Sequence, residues 1–226
     1  MKKIERRTEL VGLIILKNLA SNGEKNFLDI GCGEGNCLIE ALKRNWNPYG
    51  LDITDHRIEK AKDNRIKFFN SNLIDCHFEN NFFDIIYMDS VLEHVINPLD
   101  YLLEIKRILK KGGVVYIGIP NEDSLLNDFK KTLYRLKSSK LSPRLRPFET
   151  PYHVVGFNTR SIETALQIAQ LEIRKIRNFA CRLEFLRAKP LSKTFFQSLL
   201  LLPIYLLAVP IKKEVYLEVY AQNNRT

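Results

Sequence analysis

Short apolar runs alternate along this chain with stretches in which apolar positions recur every three or four residues. Phe27-Leu28-Asp29-Ile30, Tyr49-Gly50-Leu51, Phe83 to Met88 and Val114 to Ile119 are of the first kind, and compact runs of this sort bounded by turn residues read as buried strands. The spacing predicts helix 4–20, strand 26–30, helix 35–45, strand 48–52, helix 55–63 and strand 66–69. Strand 83–88, helix 98–109 and strand 113–119 follow, with Pro98 as a start signal and Gly112-Gly113 as a stop. Strand and helix taking turns in this way predict a parallel sheet with helices on both faces. Beyond strand 113–119 the rhythm changes. Residues 122–150 read as an insertion, with a helix through Leu125, Leu126, Phe129 and Leu133 and then a Pro/Arg/Ser-rich loop. Thr159 to Ala169 reads as a helix capped by Thr159 or Asn158, and 171–179 and 214–222 read as strands.

Between those two strands lies Phe195 to Ile211, uncharged and apolar apart from Gln197, Ser198 and the Tyr205 hydroxyl, with Lys189 and Lys193 before it and Lys212 and Lys213 after it. It is shorter than the ~20 residues a spanning helix requires, and Pro203 is expected to break it midway. Two readings stand: a buried helix pair capping a substrate pocket, or an interfacial element dipping into a membrane, which the flanking lysines favour.

At 226 residues the chain, 1–226, is read as one α/β domain carrying a basic helix and loop, 122–150, and an apolar insertion, 190–212. Apolar and charged fractions of 45% and 27% are those of an ordinary globular protein. Cys32, Cys37, Cys76 and Cys181 show no paired spacing and read as reduced thiols. Lys2, Lys3, Arg6 and Arg7 precede an apolar run, but Glu5 and Glu9 interrupt it and no small-residue cleavage site follows. An amphipathic helix through Leu10, Leu13, Ile14, Leu16 and Lys17 is the better reading, and a cytoplasmic location, free or at the inner face of a membrane, is expected. The net charge of +9 is concentrated: Lys130, Lys131, Arg135, Lys137, Lys140, Arg144 and Arg146 lie together with no acidic residue among them. Such a run is either a solvated surface or a binding face for anions.

The chemistry begins at Asp29-Ile30-Gly31-Cys32-Gly33-Glu34-Gly35-Asn36, where a strand runs into alternating glycines and then a helix. Strand, glycine turn and helix N-terminus make a cradle for a nucleotide-like ligand. The dinucleotide fingerprint G-x-G-x-x-G is not met, because Asn36 stands where its third glycine belongs, and a nicotinamide enzyme is therefore disfavoured. Asp29 could accept hydrogen bonds from an ammonium group. Asp52 ends the second strand at roughly the ~20-residue spacing of a carboxylate that binds a ribose diol.

Leu28 to Gly35, Gly50-Leu51-Asp52-Ile53, Phe83 to Met88, Val91-Leu92-Glu93-His94-Val95-Ile96-Asn97-Pro98 and Ile108 to Val115 with Ile119-Pro120-Asn121 follow one another in a set order. In that order the sequence resembles the class I S-adenosylmethionine-dependent methyltransferases, and within them the small-molecule branch that includes ubiquinone-pathway O-methyltransferases. The resemblance implies a Rossmann-like, doubly wound, seven-stranded α/β sheet, mostly parallel with an antiparallel last strand. It implies S-adenosylmethionine as cofactor, held by Asp29, Gly31, Cys32, Gly33, Gly35, Asp52, Ile53, Asn72, Leu73, Met88 and Asp89. Asn72 departs from the acidic residue the family places against the adenine amino group, although its amide oxygen can accept the same hydrogen bond. His94 would accept a proton from a hydroxyl acceptor or shape the pocket, and His153 would face the acceptor. Glu93 and His94, two adjacent residues, do not by themselves make a metal site, and no metal is expected. The implied acceptor is a small or lipid-linked molecule, O-methylated at or near an anionic membrane surface; the oligomeric state is open. A nucleic-acid methyltransferase using the basic insertion is an alternative, weakened by Met88-Asp89-Ser90-Val91 in place of the Asn/Asp-Pro-Pro-aromatic motif. An inactive, membrane-associated module that binds S-adenosylmethionine is another.

Overall fold

Strand pairing sets where every later feature lies. In the computed structural model, which describes residue 16 and residues 24–136, 153–179 and 192–224, seven strands form one sheet. They are β1 (Asn26–Ile30), β2 (Asn47–Asp52), β3 (Lys67–Asn70), β4 (Phe83–Asp89), β5 (Leu109–Pro120), β6 (Glu172–Phe179) and β7 (Tyr216–Gln222), in the order β3-β2-β1-β4-β5-β7-β6. The first five run parallel; β7 is antiparallel to both β5 and β6. Register brings the chemistry to one edge. Asp29 lies opposite Gly50 and Tyr87, Asp89 opposite Gly118, and Pro120 opposite Tyr216.

Each face of the sheet buries its own apolar layer, because successive strand side chains point to opposite sides. One layer holds Phe27, Ile85, Tyr87, Tyr116 and Tyr220 under α1 (Asn36–Lys43). Leu16, the only described residue of the expected helix 4–20, is helical and fully buried in this layer. The other holds Leu28, Ile86, Met88, Val115, Ile117 and Val219 under α2 (Pro98–Ile108) and α4 (Thr159–Ile168). Pro98 stands in the first turn of α2, and Asn158 closes a capping box with Ser161 at the start of α4. α3 (Leu125–Leu136) and α5 (Lys193–Ala208) pack on each other after β5 and before β7.

Three expectations are corrected. Residues 55–63 are not an α-helix but a loop with one 3₁₀ turn, Glu59–Ala61. The Asp55 carboxylate accepts from the Arg57 backbone N–H at 3.1 Å and grips its guanidinium at 2.8–2.9 Å, while the Ile58 N–H goes to the Glu34 carbonyl at 3.1 Å. Local side-chain bonds of this kind compete with helix hydrogen bonding. The fifth strand begins at Leu109, not 113, because Gly112-Gly113 belongs to a bulge and not to a stop. Phe83 pairs with Leu109 but Ile85 with Val114, and Gly112 takes φ +76°. Asn223 clasps that bulge, donating to the Leu109 carbonyl at 2.7 Å and, from its backbone, to that of Gly113 at 3.0 Å. Finally, α5 runs through Pro203 as one helix, not a pair. The proline removes one backbone hydrogen bond on an exposed face, and the leucines around it are strong helix formers. The Pro/Arg/Ser-rich loop up to residue 150, the flanking Lys189 and Cys181 lie outside the described residues.

At the N-terminal end of β4, remote from the register edge, Phe83 is fully buried and meets Tyr49, Phe78 and Phe82 edge-on at 5.0–5.3 Å between centroids. Phe83→Ala is expected to lower stability by about 3–5 kcal/mol in denaturant unfolding, while leaving ligand binding at the opposite edge unchanged.

Candidate functional site

The sheet order reverses direction at β1: the chain leaves for β2 on one side and for β4 on the other. Connections at such a switch point part from each other and leave a crevice beyond the carboxyl ends of the strands. The loop from β1 to α1 occupies this crevice. It is anchored to β2, since the N–H groups of Gly31 and Cys32 both donate to the Leu51 carbonyl, at 2.7 and 3.1 Å.

The glycines here serve different ends. A Cβ on Gly31 would lie 2.3 Å from Val91 Cγ2, and one on Gly35 2.5 Å from the Ala61 Cβ, so both are demanded by packing. A Cβ on Gly33 would meet nothing within 4 Å. Gly33 takes φ +48°, and the space above it is open. Its N–H donates to Asp52 Oδ2 at 2.9 Å, and the Thr54 N–H to Asp52 Oδ1 at 3.2 Å. Two backbone donors thus fix a half-buried carboxylate beside open space, with lone pairs left over for further donors. Asp29, buried at the end of β1, adds a second negative charge; burial and then both carboxylates push the Cys32 thiol up. A cradle of this sign and shape fits a ligand with a diol and cationic groups.

Other predicted site residues divide into backbone and side-chain positions. Cys32, Leu73 and Met88 are buried in the two apolar layers, Leu73 and Met88 fully so, and they back the crevice rather than stand open in it. Ile53 is 78% exposed beside Asp52 and offers an apolar side chain. The Asn72 amide oxygen accepts from the Ile74 and Asp75 N–H groups at 2.9 and 3.1 Å, and its nitrogen donates to the Asp75 carboxylate. The turn thereby takes up its acceptor capacity and presents Asp75, which sequence spacing did not single out.

On the β4 side, Asp89 joins a chain of hydroxyls. Tyr216 Oη donates to Asp89 Oδ1, Ser90 Oγ lies 2.7 Å from Tyr216 Oη, and Tyr87 Oη donates to Asp89 Oδ2 at 3.4 Å. Burial, followed by the Asp89 charge, pushes the Tyr216 phenol up, so it remains protonated and donates. Ser90 holds φ +56° with its N–H on the Gly118 carbonyl. Tyr216 and Ser90 come from distant parts of the sequence, and only the antiparallel register of β7 unites them.

The short turn after Ser90 then brings the imidazoles together. The Glu93 carbonyl accepts from the Val154 and Val155 N–H groups at 2.8 and 3.1 Å, which pins residues 153–155 against it. The His94 and His153 rings consequently meet edge-on, 5.1 Å between centroids. Glu93 Oε1 lies 3.9 Å from His94 Nε2, while Oε2 is buried with no hydrogen-bond partner among the described residues. Burial raises the Glu93 carboxyl, and partial burial, then His94, lowers His153. Glu93, His94 and His153 offer one ligand atom each within 4.8 Å of one another, enough to hold a divalent cation. Glu93 and His94 lacked a third partner in the sequence, and the fold supplies His153.

A family model described as a methyltransferase domain matches residues 4–176. Among similar proteins, an uncharacterised protein of Methanocaldococcus jannaschii is 35% identical over 122 residues, 52% of each chain. The ubiquinone biosynthesis O-methyltransferase of Actinobacillus pleuropneumoniae serotype 7 is 33% identical over 111 residues, 43% of this chain and 46% of its own. The chain spans about half the length of these relatives. In fold it is similar to a phosphoethanolamine N-methyltransferase of Haemonchus contortus in complex with S-adenosyl-L-methionine (TM-score 0.64, 19% identity, 96% of this chain and 53% of that one). A geranyl diphosphate methyltransferase in complex with the same compound gives a TM-score of 0.65 at 15% identity, over 95% of this chain and 85% of that one. With the family model covering well over half the residues, on a sheet of this order, the chain belongs to the class I S-adenosylmethionine-dependent methyltransferase family.

Proposed function

We propose that this protein is a methyltransferase that transfers the methyl group of S-adenosylmethionine to a hydroxyl oxygen of a small or lipid-linked acceptor. The observation that carries the cofactor half is the Asp52 carboxylate, fixed by the Gly33 and Thr54 N–H groups beside open space over Gly33. Asp52 would hold the ribose hydroxyls, Asp29 the ammonium group, and the backbone of residues 31–35 would lie along the methionyl part. Ile53, Leu73 and the Asn72–Asp75 turn would border the adenine. When bound, the cofactor supplies an electrophilic methyl group on a sulfonium, so alignment and exclusion of water are the protein's main tasks.

The acceptor half rests on the groups after β4. The Asp89–Tyr216–Ser90 chain presents a fixed hydroxyl pair that orients an acceptor oxygen. The His94 and His153 rings meet edge-on beside it, and the lowered His153 is neutral near pH 7, as a proton acceptor must be. Ile96 and Val154, both exposed beside these imidazoles, favour an acceptor with apolar parts. The likeness to a ubiquinone biosynthesis O-methyltransferase supports the same class. Such an acceptor would be met by a cytoplasmic protein at or near the inner face of a membrane.

Titration calorimetry with S-adenosylhomocysteine tests the cofactor half. The wild type is expected to bind in the micromolar range, and Asp52→Ala to weaken binding by about tenfold or more, the worth of a charge-assisted hydrogen bond or two. Gly33→Ala separates fold from site: it should cost only the ~1–2 kcal/mol of a left-handed alanine in urea unfolding, yet abolish binding by filling the cradle. No adenosyl binding by the wild type would refute the reading. For the acceptor half, the rate should fall as pH drops through the pKa of His153, which partial burial lowers. That limb should lie below the ordinary histidine value of ~6.5 and be lost in His153→Gln. Treatment with a chelator should leave the rate unchanged if the imidazoles act as bases, and suppress it if they hold a cation.

A further inference from the structure

The side chains of α5 described as exposed are all apolar. Phe196, Leu199, Leu200, Pro203, Leu206 and Leu207 follow one another at steps of three and one residues and are all exposed, Leu200 to 77% and Leu207 to 62%. These steps place them on a single stripe of the helix. A helix facing water carries charges there, but residues 194–211 contain none. Exposed Ile211 extends the stripe past the helix end. α3, packed alongside, adds Phe129 and Leu133, exposed one turn apart on its own surface. The two helices are tied at their ends, since the Leu125 N–H donates to the Lys213 carbonyl at 2.9 Å and Lys213 Nζ reaches Asp128 at 2.8 Å.

Cations border this apolar surface. Lys130 and Arg135 are exposed on α3, and Lys212 is exposed just beyond α5. A second copy of the chain would bring a like-charged rim against this one, on a protein whose net charge is already +9. A bilayer of anionic lipid satisfies both features: acyl chains accept the stripe and headgroup phosphates meet the cations. At 16 residues, ~24 Å, α5 is too short to cross the hydrocarbon core, and none of the described helices is long and apolar enough to do so.

We propose that α3 and α5 dock this protein on an anionic lipid surface, with α5 lying in the plane of the interface. The consequence for catalysis rests on the methyl-transfer reading above, and the docking itself does not. β7 starts soon after α5, at the same Tyr216 whose hydroxyl is bonded to Asp89, and α3 starts soon after β5. The docked face therefore borders the acceptor side of the crevice, where a lipid-linked hydroxyl would enter.

Flotation of the 226-residue chain with phosphatidylcholine vesicles, with and without phosphatidylglycerol, tests this, with S-adenosylhomocysteine titration run on every sample. The wild type is expected to float with the phosphatidylglycerol vesicles and to be released as salt rises. Leu200→Glu combined with Leu207→Glu should weaken vesicle binding at least about tenfold and bind S-adenosylhomocysteine as the wild type does. Failure of the wild type to float, equal flotation on phosphatidylcholine alone, or undiminished flotation of the double variant would overturn the proposal. So would light scattering showing that the double substitution turns a dimer into a monomer, since the stripe would then be a self-association face. Flotation that follows the stripe in a protein with no adenosyl binding would uphold the docking and refute the methyl-transfer reading.

Discussion

Everything at the crevice depends on the pairing of β1 with β2 on one side and β4 on the other. Parallel neighbours force crossover connections, and a central strand with both neighbours parallel sends those connections apart. The gap this leaves is a property of topology, present before any side chain is specified. The Gly31 and Cys32 N–H groups on the Leu51 carbonyl then pull the glycine loop toward β2. That pull brings the Gly33 N–H within reach of the Asp52 carboxylate, which is therefore oriented by the main chain and insensitive to rotamer choice at the surface.

The two halves of the site are built by different means. Asp29, Gly33 and Asp52 belong to adjacent strands and short loops, so their geometry follows from local register. The half beyond β4 is assembled from remote pieces: Asp89 and Ser90 at the end of β4, Tyr216 from β7, and His153 from a segment whose Val154 and Val155 N–H groups bond the Glu93 carbonyl. Its groups are partly desolvated, and this alters them in opposite senses, raising Glu93 and Tyr216 and lowering His153. All three shifts favour the uncharged form, as desolvation does.

This division explains what could be read from sequence. The strands were legible because burial on both faces writes a near-continuous apolar run, as in Val114 to Ile119 and, broken only by Asp84, Phe83 to Met88. Asp52 and the glycines were legible because a βαβ unit imposes their spacing. Residues 55–63 misled, since a helical pattern says nothing of the Asp55–Arg57 clasp that claims the first N–H groups. Pro203 misled in the opposite direction, because good helix formers on both sides and packing against α3 carry the helix through it. Tyr216, Ser90 and the joining of His153 to His94 carried no local signal at all. They depend on antiparallel register and on hydrogen bonds between segments far apart in the chain.

The antiparallel entry of β7 between β5 and β6 has a bearing on how such a protein can change over evolutionary time. Neighbouring antiparallel strands need only a tight turn between them, so the whole excursion from Phe179 to Tyr216 is unnecessary to the sheet. Lengthening a connection of this kind costs only ~0.6 kcal/mol per doubling in closure entropy. The hairpin tip is thus a place where selection can graft, trim or recolour a module while every strand keeps its partner. Novel specificity can be acquired there without renegotiating the cradle on the far side of β1.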